Sequence, residues 1–173
     1  IVGSQSQVTA ALVTTDTLVA AAKAVVTIND AAFGNGNNAT INASALSEIG
    51  GKTTGTVTVD NAVKIVGSTT QLTAALVTTD TLVSAGTALV TVNDAAFGNG
   101  NNATINASVL STIGGKTTGT VTVDNAVKIV GSQSQVTAAL VTTNTLVAAG
   151  TAVVSINDAA FGNGNNATIN ASV

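Results

Sequence analysis

The sequence predicts a β-rich repeat solenoid, with parallel β-strand coils stacked on one another and short helical turns between them, and three observations lead there. The stretch TVTVDNAVKIVGS at 56–68 returns at 120–132, and its last four residues, IVGS, already open the chain. Ile1, Ile65 and Ile129 therefore begin three copies of one 64-residue unit, 1–64, 65–128 and a partial 129–173, the signature of a repeat architecture. Within a copy, polar and apolar residues alternate over short runs, as half-buried strands do. Each copy also divides into four segments of about 16 residues, each with a strand and a turn, as suits coils that cover one another's apolar faces. Four coils at the strand spacing would advance about 19 Å per copy. The alternative architecture, a string of small β-sandwich domains, is weakened by the short unit and by the lack of Tyr, Trp and Pro.

In chain order, Ser4 or Ser6 is placed to cap a helix whose apolar face is Val8, Ala11, Leu12 and Thr15. The β-branched Thr and Val of 8–22 leave a pair of strands open there as well. Asp16 either stops the helix or caps a second short one from Leu18 to Ala22. Residues 24–30, AVVTIND, predict a strand ending in an Asn/Asp pair, and Gly34 to Asn38 predict a turn, because Gly and Asn accept positive φ. Residues 39–43 read as a strand, and Leu46 and Ile49 as one helical turn stopped by Gly50 and Gly51. Thr56–Val59 and Val63–Ile65 are then two strands with a bend at Asp60 and Asn61.

Copies one and two differ at ten positions. The mild changes, Val8 to Leu72, Val25 to Leu89, Ile28 to Val92 and Ala45 to Val109, are what a packed interior tolerates and mark candidate core. Lys23 to Thr87 and Glu48 to Thr112 mark solvent.

Cys, His, Trp, Tyr, Met, Pro and Arg are all missing, and the only aromatics are Phe33, Phe97 and Phe161. Thiolate nucleophiles, imidazole bases and ordinary zinc or iron sites are thereby excluded. Five Lys against eight acids give a net charge of −3, which offers neither a basic footprint nor a stacking platform for nucleic acid. Polar residues interrupt every apolar run before membrane-spanning length, so no membrane insertion is expected. Both ends fall inside the repeat, which suggests an excerpt of a longer protein.

The residual candidates are thin. Calcium has weak candidate ligands in Asp30, Asp60, Asp94 and Asp124, one carboxylate per corner, and no other cofactor is expected. The turn FGNGNN at 33–38 faintly resembles a glycine-rich calcium-binding nonapeptide but carries Asn where Asp is needed. Asn38, Asn42, Asn102, Asn106, Asn166 and Asn170 each open an Asn-x-Ser/Thr glycosylation acceptor. Thr54, Thr56 and Thr58 form a threonine row of the sort that orders ice, although it recurs once per copy rather than once per coil. Gly50-Gly51-Lys52-Thr53 contains a Gly-Lys-Thr run without the upstream glycine of a phosphate loop.

The segments IVGSQSQVTAALVTT, VVTINDAA and GTVTVDNA resemble the tandem repeats of long secreted bacterial surface proteins, adhesin-like and of the RTX or cyanobacterial extracellular type. The resemblance implies a secreted or cell-surface location and an adhesin, sheath, matrix or filament role, often with calcium-dependent folding. It carries over no catalytic residues. The expected function is accordingly non-enzymatic and structural, a rod or filament segment that self-associates end to end or side by side, with surface glycans as further partners. The alternative is a repeat module that binds calcium, glycan or ice.

Overall fold

The computed structural model describes residues 1–160 and 168–169. It is a mixed α/β fold in which every pairing between strands is parallel. From the N-terminus come β1 (Val2–Gly3), α1 (Gln5–Leu12), β2 (Val26–Ile28), β3 (Thr40–Asn42), α2 (Ala43–Gly50) and β4 (Val57–Val59). The chain continues with β5 (Lys64–Gly67), which crosses into the second copy, then α3 (Thr69–Leu76), β6 (Val83–Ser84), β7 (Leu89–Val92), β8 (Thr104–Asn106) and α4 (Ala107–Gly114). β9 (Val121–Val123), β10 (Lys128–Gly131), α5 (Gln133–Leu140), β11 (Val147–Ala148) and β12 (Val153–Ile156) complete it.

The strands form three sheets, ordered β1-β2-β4-β6, β3-β5-β7-β9-β11 and β8-β10-β12. The chain steps from one sheet to the next through a corner or turn, as between β4 and β5, and returns through a helix, as from β5 through α3 to β6. Parallel neighbours require such crossovers, because a two-residue hairpin cannot join them. Register fixes their length. Val2 pairs with Thr27, Val26 with Val57, Val57 with Val83 and Thr40 with Lys64, so each strand level takes up far more chain than the short coils expected from the sequence.

These findings overturn the β-rich solenoid with its short coils, and the string of β-sandwiches with it. The described residues contain five α-helices, each of 8 residues, and the strands run to no more than four. The reason is local. Ser4 caps α1 with its hydroxyl accepting from the Gln7 N–H, while the Gln7 side chain accepts from the Ser4 N–H at 2.9 Å. Two end donors are thus satisfied reciprocally, and Ser68 with Gln71 and Ser132 with Gln135 repeat the arrangement. In α2, Ala43, Leu46, Ile49 and Gly50 are the buried positions, a helical stripe rather than a strand alternation. Full burial of Leu46 and Ile49 contributes roughly 1.5–3 kcal/mol each, enough to commit the segment.

Of the candidate core, Val8, Leu72, Ile28 and Val92 are buried. Leu89, Ala45 and Val109 are half-buried and Val25 is exposed, so mild substitution marked half-covered positions too. Lys23, Thr87, Glu48 and Thr112 lie in solvent as expected. Residues 15–17 form a 3-10 turn rather than a second helix. Residues 18–22 form no helix, and their second-copy counterparts Val83 and Ser84 form a strand.

Candidate functional site

The most regular polar feature is a groove that recurs once per copy beside the sequence GGKTTG. In the first it is lined by Gly50, Gly51, Lys52, Thr53, Asp80 and Leu82 among others, and encloses about 550 Å³. Its second occurrence, of about 440 Å³, replaces these with Gly114, Gly115, Lys116, Thr117, Asn144 and Leu146. Packing dictates the loop's composition. A Cβ at Gly50 would collide with the carbonyl of Thr81 and one at Gly114 with that of Thr145, so helix α2 or α4 ends flush against the following 3-10 turn only as glycine. Thr53 Oγ1 donates to the Ala24 carbonyl (2.7 Å) and accepts from the Gly55 N–H (2.9 Å). Thr54 donates both its N–H (2.8 Å) and its hydroxyl (3.0 Å) to the Ala22 carbonyl.

Those bonds decide what the loop can do. A phosphate cradle needs several free amides pointing at one anion. Here Gly51 N–H donates to Ser47, Lys52 N–H to Ile49, Thr53 N–H to Gly50, and Thr54 and Gly55 are committed as above. The Gly-Lys-Thr run is therefore a tie between crossovers, and Lys52 is exposed with no amide array behind it.

The calcium candidates separate into two pairs with different jobs. Asp30 Oδ2 accepts from the Gln5 N–H at 2.5 Å, Asp94 Oδ2 from the Thr69 N–H at 2.7 Å, and Asp94 Oδ1 from the Thr69 hydroxyl at 3.1 Å. Each carboxylate, distant in sequence, thus serves a helix's first N–H, where negative charge is favoured. Asp158, the third-copy equivalent of Asp30 and Asp94 but not one of the calcium candidates, does the same for Gln133 at 2.7 Å. Asp60 and Asp124 are exposed, and their N–H groups donate to Ile28 and Val92. The neighbouring Asn61 and Asn125 side chains donate to the Asp30 and Asp94 carbonyls, both at 2.7 Å. Among the described residues no group of three or more His, Cys, Asp or Glu could hold a metal ion.

The FGNGNN segment is a turn in fact. Gly34, Asn35 and Gly36 have φ of 104°, 50° and 90°, which favours Gly and Asn there. The Asn37 side chain is spent on the Ala31 and Ala32 carbonyls and the Ala39 N–H. Lys64 Nζ sits 5.4 Å from the Phe33 ring centroid and Lys128 Nζ 5.3 Å from that of Phe97, and the two ring–cation pairs tie the turns to β5 and β10.

Asn38, Asn42, Asn102 and Asn106 are exposed; Asn106 also caps α4 by accepting from the Ser108 N–H and hydroxyl. Asn166 and Asn170 lie outside the described residues. The threonine row does not form a free array, since Thr54 is bonded to Ala22 and Thr58 is half-buried. Among the described residues no helix is long and apolar enough to cross a membrane.

The feature that sequence reasoning missed is how unequally equivalent strands are covered among the described residues. Among the described residues, β12 borders β10 on one side and no strand on the other. Val154 and Ile156 are 42% and 45% exposed there, whereas their second-copy counterparts Val90 and Val92, covered by β9, are 1% and 0% exposed. The equivalence of Val90 with Val154 was available in the sequence, but which strand covers each was not.

Comparison with family models, curated proteins and solved structures found no match to this chain. Neither the fold nor these comparisons support the β-solenoid or adhesin expectation.

Proposed function

We propose that this chain is a non-enzymatic structural repeat segment that builds a rod or filament by adding further copies of its own unit end to end. The observation that carries the reading is the repetition of one set of inter-crossover bonds. Thr53 to Ala24, Thr54 to Ala22 and Asn61 to Asp30 recur as Thr117 to Ala88, Thr118 to Gly86 and Asn125 to Asp94, with closely matching lengths. A unit that joins the next unit as it joins itself has no built-in stop. The threonine hydroxyls that line the recurring groove are taken up in the same bonds, which supports a scaffold over a binding pocket. A secreted or cell-surface location belongs to the proposal and is supported only by the resemblance of the repeat segments to those of secreted bacterial surface proteins.

Sedimentation velocity across a wide range of concentration, with electron microscopy of the same samples, tests the reading. Concentration-dependent growth into unbranched fibres is expected. A monomer at every concentration, with no fibres, overturns it.

A further inference from the structure

The FGNGNN turns hold a pair of groups that neither the inter-crossover bonds nor the grooves use. The Gly34 N–H donates to the Asn37 carbonyl at 2.8 Å and the Asn37 N–H to the Gly34 carbonyl at 2.9 Å, so Asn35 and Gly36 form a two-residue hairpin loop. Their φ of 50° and 90° belong to a type I′ turn, for which Asn-Gly is a preferred sequence. Gly98 and Asn101 exchange the same two bonds around Asn99 and Gly100, whose φ are 50° and 89°. A third Asn-Gly pair, at 163–164, lies outside the described residues.

All four loop residues are exposed. Among the described residues, no hydrogen bond is made by the side chain of Asn35 or Asn99, or by the N–H of Gly36 or Gly100. A Cβ built at either glycine meets nothing within 4 Å, so both amide nitrogens can be approached freely. The neighbouring asparagines lack one half of this arrangement. The Asn37 side chain is held by three bonds, and Asn38 is followed by Ala39, whose N–H donates to that side chain at 3.1 Å. The second turn commits Asn101 and Ala103 in the same way.

We infer that Asn35 and Asn99 are sites of spontaneous covalent modification, at which the following glycine nitrogen cyclises the side chain and water opens the ring to isoaspartate and aspartate. The Gly36 nitrogen gives up its proton to solvent base and attacks Asn35 Cγ. The N–Cγ bond forms, the Cγ–Nδ2 bond breaks, and Nδ2 leaves as ammonia after taking a proton from solvent. One water molecule then opens the five-membered imide. Breaking the bond from the Gly36 nitrogen to Cγ yields aspartate, and breaking its bond to the Asn35 main-chain carbonyl carbon yields isoaspartate. Nothing is oxidised or reduced. Ring closure requires Asn35 to rotate out of its left-handed conformation, and the two hairpin bonds oppose that rotation only weakly, since a lone hairpin is marginal and surface segments open locally.

Both charge and shape change as a result. Each conversion adds one negative charge to a chain of net charge −3. Isoaspartate also lengthens the main chain by one carbon, which breaks the match between Gly34 and Asn37. This inference is independent of the end-to-end reading, because the reaction is intramolecular.

The test is to age the intact chain in mildly alkaline buffer and map its peptides with electron-transfer fragmentation, which tells isoaspartate from aspartate. Replacement of amide NH2 by OH is expected first at Asn35 and Asn99, with isoaspartate in both products. Gly36→Ala is expected to slow conversion at Asn35 by roughly tenfold or more, because a side chain hinders the approach of the nitrogen. Asn99 in the same molecule is the internal standard, and Gly100→Ala reverses the two roles. Circular dichroism confirms that each variant is folded. Conversion at Asn37, Asn38 or Asn42 as fast as at Asn35, or an unchanged ratio of Asn35 to Asn99 in both glycine variants, overturns the assignment. So does a chain that gains no acid at either site while a peptide of residues 31–40 converts under the same conditions.

Discussion

The hydroxyl of Thr53 lies 2.7 Å from the carbonyl of Ala24, far earlier in the chain, and Thr117 repeats that bond to Ala88 at 2.6 Å. Thr53 is buried and also accepts from the Gly55 N–H, so Thr53→Val strands a donor and an acceptor while keeping the shape. Loss of stability by about 1–3 kcal/mol is expected. Urea unfolding monitored by circular dichroism checks it, and an unchanged midpoint would mean that the bond is worth nothing to the fold.

Gly50 and Gly86 make a matched pair of opposite sign. A Cβ at Gly50 meets the Thr81 backbone, which cannot retreat as a side chain end can, so Gly50→Ala is expected to destabilise by about 1–3 kcal/mol. At Gly86 nothing lies within 4 Å of a built Cβ and φ is not in the left-handed range, and the first copy carries Ala22 at the same place. Gly86→Ala is expected to stabilise by about 0.4–1 kcal/mol by restricting the unfolded chain. Thermal melts of the two variants side by side decide it.

Asp94 caps α3 through both carboxylate oxygens. Asp94→Ala should cost about 0.5–2 kcal/mol. Because those oxygens already accept from Thr69, millimolar calcium is expected to leave the melting midpoint of the wild-type chain unchanged. A rise of several degrees on adding calcium, absent in Asp94→Ala, would make this corner a metal site instead of a helix cap.

Much of the local structure was legible. Ser4 with Gln7 is a capping pair at the required spacing, TVTV is a strand at β4 and β9, and the glycines of FGNGNN foretell positive φ. What failed was the step from segments to partners. Short segments, each with its own strand, imply equally short coils, but paired residues such as Thr40 and Lys64, or Val26 and Val57, lie much farther apart because a full helix occupies the return path of most crossovers. Leu46 and Ile49, three apart, showed one helical turn; only the burial of Ala43 and Gly50 beside them reveals the whole helix. The candidate site was less legible still. Asp30 and Gln5, or Thr53 and Ala24, are brought together by register, and register depends on crossover lengths that no local pattern states.

The same register corrects the axial spacing to be sought in fibres. Val26 and Val90 occupy equivalent positions, and the pairings of Thr40 with Lys64, Val26 with Val57 and Lys64 with Leu89 leave room for about two and a half strand levels between them. At a strand spacing of about 4.8 Å, one repeat unit then advances about 12 Å, in place of the roughly 19 Å that four short coils would give. Fibre diffraction or helical reconstruction of assembled material is expected to show a meridional repeat of about 12 Å alongside the strand reflection at about 4.8 Å. A repeat of about 19 Å would require four strand levels per unit. The Val26–Val57 and Thr40–Lys64 pairings are incompatible with that many. Fibres lacking the strand reflection would mean that units join through their helices or turns, with the sheets lying across the axis rather than growing along it.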